Sequence, residues 1–270
     1  MSVDGNDEVL SKPASAWKPA SVLGRAVLEA VQRGARCRIV FVGDSLTSTE
    51  WVHPNWRDAV EYAIKQCSMT AVDDWRRSSW GIRCFNAGFD GATTRDWLER
   101  IDEDVLALDP DIAIVLGTRN DWEFAIPAAE STRNIEQLLI RLQTARVPHI
   151  AYATSFADAN RERLTRSREY FASIRDVASR LGVTTLDLLT AMTGSDHERF
   201  YTFEIDEDNV VTGERRGDRD TSHPNALGNC EVAAIILREL FDIPFDAGAY
   251  LADTHAGIKY PRFSRSAATR

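Results

Sequence analysis

The sequence predicts an α/β chain: a three-layer α/β/α sandwich in which about five parallel strands carry helices on both faces. Three observations predict it. Short apolar runs such as RCRIVFVG (36–43) and DIAIVLG (111–117) are rich in branched residues and end in Gly, as strands buried on both faces do. Longer segments between them carry apolar residues at helical spacing. The two kinds alternate without an internal repeat, which is the signature of a doubly wound sheet.

Each element has a local reason. A helix is expected over 22–32, where Val22, Ala26, Val27, Ala30 and Val31 share a face. The strand 36–43 follows. A helix over 54–67 is expected to begin at Pro54, since proline suits a first helical turn. RCFNAG (83–88) reads as a short strand. Residues 93–107 read as a helix with Trp97, Ile101, Val105 and Leu106 on one face, Thr93 or Thr94 as its cap and Asp109-Pro110 as its breaker. The strand 111–117 is the clearest in the chain. Then come a helix near 129–145, a strand at 148–155, a helix near 160–182, a strand at 183–188 and a closing helix over 226–241. Residues 200–213 interrupt the alternation. Two β-prone runs there flank Asp206-Glu207-Asp208-Asn209 and suggest a hairpin insertion, expected to cover the pocket. The expected organisation is a flexible tail over 1–20, one domain over 21–251 and a basic tail over 252–270.

Composition excludes several classes. With 270 residues the chain can bury a large core, and 44% hydrophobic with 27% charged residues is ordinary for a globular protein. The net charge of -9 repels phosphate backbones, so nucleic acid is a poor partner. No apolar run is long enough to span a membrane. The first residues lack a basic start followed by an apolar stretch, so a cytoplasmic protein is expected. Cys37, Cys67, Cys84 and Cys230 form no C-x-x-C pair and read as reduced thiols, with no support for a zinc site.

Ligands of open α/β sheets bind beyond the carboxyl ends of the strands, so the residues just after each strand carry the chemistry. These are Gly43-Asp44-Ser45, Asn86-Ala87-Gly88 and Gly117 to Asp121, with Asp220 to Asn225 just before the last helix. They supply the parts for acyl transfer. A serine needs a neighbouring imidazole to become a nucleophile, and the imidazole needs a carboxylate to fix its tautomer. Asp220 and His223 are three residues apart, so one turn brings the carboxylate under the ring, with Asp218 as the near rival. A tetrahedral oxyanion needs two or three donors. The Ser45 N–H, the Gly88 N–H and the Asn120 amide are candidates. Asp44 reads as structural, accepting backbone N–H groups at the turn. No G-x-S-x-G elbow, phosphate-binding Gly-Lys loop, H-E-x-x-H or G-x-G-x-x-G sequence occurs.

The four blocks resemble the SGNH (GDSL-type) hydrolases: IVFVGDSLT with Ser45, NAGFDGATT with Gly88, LGTRND with Asn120 and DTSHPNALG with Asp220 and His223. The resemblance covers about residues 36–241. It implies a flavodoxin-like fold, with Ser45 as nucleophile, His223 as base, Asp220 as its orienter and Ser45, Gly88 and Asn120 as oxyanion hole. It implies a serine esterase acting on a small-molecule ester, such as a short acyl or O-acetyl group, without metal or cofactor. An acyltransferase using the same residues and a binding module without turnover are the alternatives. The family's third block is usually Gly-x-Asn-Asp. Here either Thr118 takes the glycine's place or Arg119 is an extra residue. Arg119, Trp122 and Trp51 are candidate substrate contacts, with pairing to an acid as the alternative for Arg119.

Overall fold

A computed structural model describes residues 17–48, 52–72, 74–156, 161–192, 197–208 and 213–255. Its strands are β1 (Cys37–Gly43), β2 (Ile82–Gly88), β3 (Ile112–Gly117), β4 (His149–Thr154) and β5 (Thr184–Leu186). All pairings are parallel and the spatial order is β2-β1-β3-β4-β5, the flavodoxin-like order, whose switch point lies between β1 and β3. The helices are α1 (Val22–Arg33), α2 (Trp56–Thr70), α3 (Trp75–Gly81), α4 (Thr94–Asp104), α5 (Arg119–Glu123), α6 (Ala128–Thr144), α7 (Arg161–Arg180), α8 (Leu188–Ala191), α9 (His197–Phe200), α10 (Ala226–Phe241) and α11 (Ala247–His255).

Strand periodicity divides the core in two. Ile39 and Phe41 of β1 and Ile112, Ile114 and Leu116 of β3 face α1, α2 and α10 in one apolar cluster. Val40 and Val42, with Ala113 and Val115, face α4, α6 and α7 in the other. Both faces of the central strands are therefore buried, which is why they read as unbroken apolar runs.

Several boundaries differ from the sequence reading. The second helix starts at Trp56, after Pro54, because Asn55 caps it: the Asn55 side chain accepts from Arg57 N–H while Asp58 accepts from Asn55 N–H. Thr93 precedes α4, and its N–H and hydroxyl both donate to Asp96. That helix ends at Asp104, before the expected 107. The short helices α3, α5, α8 and α9 and the terminal α11 carry no long apolar period and were not expected. Of the 252–270 segment expected as a tail, the first four residues continue α11, and 256–270 lie outside the described residues.

The start of the chain also differs from the expected tail over 1–20. Trp17 is buried, and its indole N–H donates to Phe241 O at 3.0 Å. Asp242 Oδ2 accepts from the N–H groups of Ala20 and Ser21 at 2.9 and 2.6 Å. The folded body therefore begins by residue 17. Among the described residues no helix is long and apolar enough to cross a membrane.

Replacing a buried tryptophan by alanine costs about 3–5 kcal/mol. Trp17→Ala is expected to lower stability by about 3 kcal/mol in urea unfolding. An unchanged midpoint would show that this segment contributes nothing to the fold.

Candidate active site

The turn after β1 is fastened from two sides. Inside it, Asp44 O accepts from the N–H groups of Thr47 and Ser48, both at 2.9 Å, and Asp44 Oδ1 accepts from Leu46 N–H at 3.0 Å. From outside, the first turn of α2 takes its carbonyls. Asn55 Nδ2 donates to Leu46 O and Ser48 O, Trp56 Nε1 donates to Leu46 O at 2.9 Å, and Arg57 Nε donates to Thr47 O. Trp97 Nε1 holds Gly43 O at 3.0 Å. Across residues 41–48 only Ser45 is not buried. Asn55, Trp56 and Arg57 escaped the sequence reading because they act through backbone carbonyls, which no side-chain pattern reveals.

The loop before α10 faces this turn. His223 Nε2 lies 2.9 Å from Ser45 Oγ, across 178 residues of chain. His223 Nδ1 lies 2.7 Å from Asp220 Oδ2. Asp220 Oδ1 accepts from the N–H groups of Ser222 and His223 at 2.7 and 3.0 Å. Asp220 is buried, and that desolvation alone would raise its pKa. The hydrogen bond and charge of His223, with the two backbone N–H groups, outweigh it and hold the carboxyl below its ordinary range. An ionised Asp220 makes Nδ1 the protonated nitrogen and leaves Nε2 to accept from the Ser45 hydroxyl. The rival Asp218 instead accepts from Arg215 N–H at the surface.

The other expected residues are placed as follows. Gly88 ends β2 directly opposite Gly43, and its N–H donates to Asn86 Oδ1 at 2.9 Å. Asn120 is buried in α5, with Nδ2 donating to Ala92 O at 3.0 Å. Thr118 precedes α5 at φ 90°, ψ 4°, a conformation that favours glycine. Gly117, at φ 132°, and Thr118 thus both hold backbone conformations that suit glycine just before Asn120. Asp121 accepts from Thr94 N–H and Oγ1 at the start of α4, so it serves the fold.

Of the two roles expected for Arg119, the structure shows the pairing with an acid. Arg119 is buried, and its Nη2 donates to Ser222 Oγ and to Glu123 Oε1. Trp122 borders a cleft of about 490 Å³ that Thr221, Arg163, Arg166 and Glu214 also line. The guanidiniums of Arg163 and Arg166 stand 5.9 and 5.7 Å from its ring centre. Trp51 lies outside the described residues. Of the suggested hairpin, 209–212 also lie outside them. Its first run pairs beyond 213: Glu204 bridges Arg219, and Asp220 N–H donates to Phe203 O at 2.9 Å. Among the described residues no group of three or more His, Cys, Asp or Glu is placed to hold a metal ion.

The pattern of the GDSL-like lipase/acylhydrolase family matches residues 41–229. The chain belongs to the GDSL-like lipase/acylhydrolase family. Membership makes it a serine ester hydrolase. No curated protein matches the chain. Solved structures share the fold. A lipase/acylhydrolase from Enterococcus faecalis is 24% identical, over 76% of this chain and 96% of that one, with a TM-score of 0.55. An acetylxylan esterase from Geobacillus stearothermophilus is 20% identical, over 79% and 97%, with a TM-score of 0.59. An α/β hydrolase from the metagenome of Lake Arreo, Spain, is 21% identical, over 75% and 94%, with a TM-score of 0.56.

Asp44 gives this GDSL-family site a pH signature. Complete burial pushes its carboxyl up from 3.8 to about 6, against the Leu46 N–H and the charges of Arg119 and His223, which pull it down. Between pH 4 and 6 the folded chain keeps a proton that the unfolded chain has lost, so stability from this group falls as pH rises. The shift corresponds to about 3 kcal/mol. Asp220, shifted the other way, loses its contribution only below its ordinary pKa of 3.8. Asp44→Asn keeps an acceptor for Leu46 N–H. Its urea midpoint is expected to lose the wild-type decline between pH 4 and 6, and parallel profiles would contradict the assignment.

Proposed function

We propose that the chain hydrolyses carboxylic esters of short acyl groups, O-acetyl esters included, through Ser45, His223 and Asp220. The observation that carries this is the run of two hydrogen bonds, 2.9 and 2.7 Å long, joining the three side chains. Ser45 Oγ attacks the ester carbonyl and forms the C–O bond while its proton passes to His223 Nε2. Asp220 stabilises the imidazolium. The C–O bond to the leaving alcohol then breaks, and His223 Nε2 returns the proton to that oxygen. Water attacks the acyl-enzyme by the same route, releasing the acid and Ser45.

The oxyanion would rest on the Ser45 N–H, the Asn120 amide and the Gly88 N–H. Asn120 Nδ2 has two hydrogens and spends one on Ala92 O, so one remains for substrate. The Gly88 N–H has a single hydrogen, now on Asn86 Oδ1. It serves the oxyanion once the exposed Asn86 side chain turns away. Two features favour small, polar substrates. The cleft beside Thr221, two residues before His223 in the chain, is lined largely by charged side chains, and a long alkyl chain laid in it would desolvate them without return. Two of the structural relatives are named as acetylxylan esterases.

Hydrolysis of a p-nitrophenyl ester series from acetate to decanoate tests the reading. Wild type is expected to prefer the shortest esters, and Ser45→Ala to lose about 10³-fold or more in kcat. Asn120→Ala is expected to lose about 10²-fold in kcat, since it removes one oxyanion donor. A Ser45→Ala protein as active as wild type, or an optimum at decanoate, would overturn the reading.

A further inference from the structure

We infer that Ser222 is a positioning residue: its hydroxyl, gripped by the buried Arg119 and the largely buried Arg163, sets the turn that aims His223 at Ser45. The inference rests on the reading of Ser45, His223 and Asp220 given above. Arg119 Nη2 and Arg163 Nη1 both donate to Ser222 Oγ, the latter at 3.0 Å. Ser222 lies between Asp220 and His223 and is itself buried. Its N–H is held by Asp220 Oδ1 at 2.7 Å. The residue is thus fixed by its backbone toward the carboxylate and by its side chain toward the arginines, and His223 follows directly in the chain.

The arginines come from different parts of the fold, Arg119 from α5 and Arg163 from α7. Burying two guanidiniums side by side is costly unless carboxylates offset them. Glu123 does so for both, at 3.1 Å from Arg119 and 3.7 Å from Arg163. Glu214 pairs with Arg163 at 2.9 Å. The result is a compensated quartet whose four side chains are all at most 17% exposed. Planar guanidiniums give fixed donor directions, so two of them meeting at one oxygen restrict that oxygen more than a water would. The same network reaches the segment after the insertion through Glu214, and that segment pairs with Phe203 through Asp220 N–H. The quartet therefore ties α5, α7 and the insertion to the loop that carries the base.

The expected consequence is a defect in chemistry with little change in binding, because Ser222 touches neither the acyl group nor the leaving alcohol. Ser222→Ala removes the acceptor, and Ser222→Thr keeps it. Turnover of p-nitrophenyl acetate would be measured per active site, with sites counted by fluorophosphonate labelling of Ser45, so that unfolded protein does not enter the rate. Ser222→Ala is expected to lose about 10- to 100-fold in kcat per labelled site, as losses of outer supporting hydrogen bonds do elsewhere, with KM within about twofold of wild type. Ser222→Thr is expected to recover most of that loss. A purely structural role would lower the number of labelled sites and the melting temperature and leave kcat per site intact, which would overturn the inference. So would a Ser222→Thr protein that melts like wild type yet turns over like Ser222→Ala. Wild-type protein that fails to label at Ser45 would overturn the nucleophile reading itself, and this inference with it.

Discussion

The site depends on how closely the turn after β1 can fold back onto the ends of three strands. Gly43, Gly88 and Gly117 are the last residues of β1, β2 and β3, which lie side by side in the sheet. A Cβ at Gly43 would fall 2.1 Å from Thr47 Oγ1 and 2.9 Å from Leu116 O. At Gly88 it would fall 2.7 Å from Thr47 Cβ, and at Gly117 2.9 Å from Asp44 Oδ2. Glycine is required at these ends for close approach: the space a side chain would take is filled by Asp44 and Thr47. With those two residues sunk between the strands, Ser45 is the one left facing outward. The buried Asp44 carboxyl, pushed up to about 6, is the electrostatic cost of that packing.

Both halves of the site are held by backbone groups before any substrate arrives. The carbonyls of Leu46, Thr47 and Ser48 are occupied by Asn55, Trp56 and Arg57. On the other side Asp220 Oδ1 takes two N–H groups of its own loop and leaves Oδ2 for the imidazole. Asn229 joins the halves: Oδ1 accepts from Trp56 N–H at 3.1 Å, and Nδ2 donates to Pro224 O at 2.8 Å. Orientation fixed in this way lowers a barrier because the entropy of alignment has been met in folding. Thr118 is strained in the same cause: a β-branched residue at φ 90° costs about 1–3 kcal/mol and lets β3 turn at once into the helix that carries Asn120.

Much of this was legible in the sequence, for physical reasons. Strands covered on both faces must be apolar throughout, so IVFV and IAIVL announced β1 and β3, and the helices between announced a parallel sheet, while its flavodoxin-like order came from the family resemblance. The meeting of Ser45, Asp220 and His223 was legible because acyl transfer would ask for these residue types and this fold offers them places beyond its strand ends. Short helices such as α3 and α5 were not, since a few residues cannot show a period. The buried Trp17 was hidden by its neighbours, which read as a polar tail. Arg119 was read as a contact to an anionic substrate or as the partner of an acid, and it pairs with the acid Glu123. Its real partners, Ser222 and Glu123, lie on another loop and one helical turn away, and only the folded chain brings Ser222 to it. Residues 200–213 were read as a hairpin from their β-prone runs, but the first run pairs with 217–220, a stretch that reads as a polar loop.

The most direct test of this account is Gly43→Ala, which alters no side chain of the proposed mechanism and adds one methyl group where Thr47 and Leu116 O stand. Urea midpoint and turnover of p-nitrophenyl acetate would be read on the same preparation. The account predicts that both fall, turnover by about 10²-fold or more, as displacement of a reacting group by about 1 Å does. A Gly43→Ala protein with the stability and turnover of wild type would show that the turn has room to spare, and that close approach at the strand ends is not what builds the site.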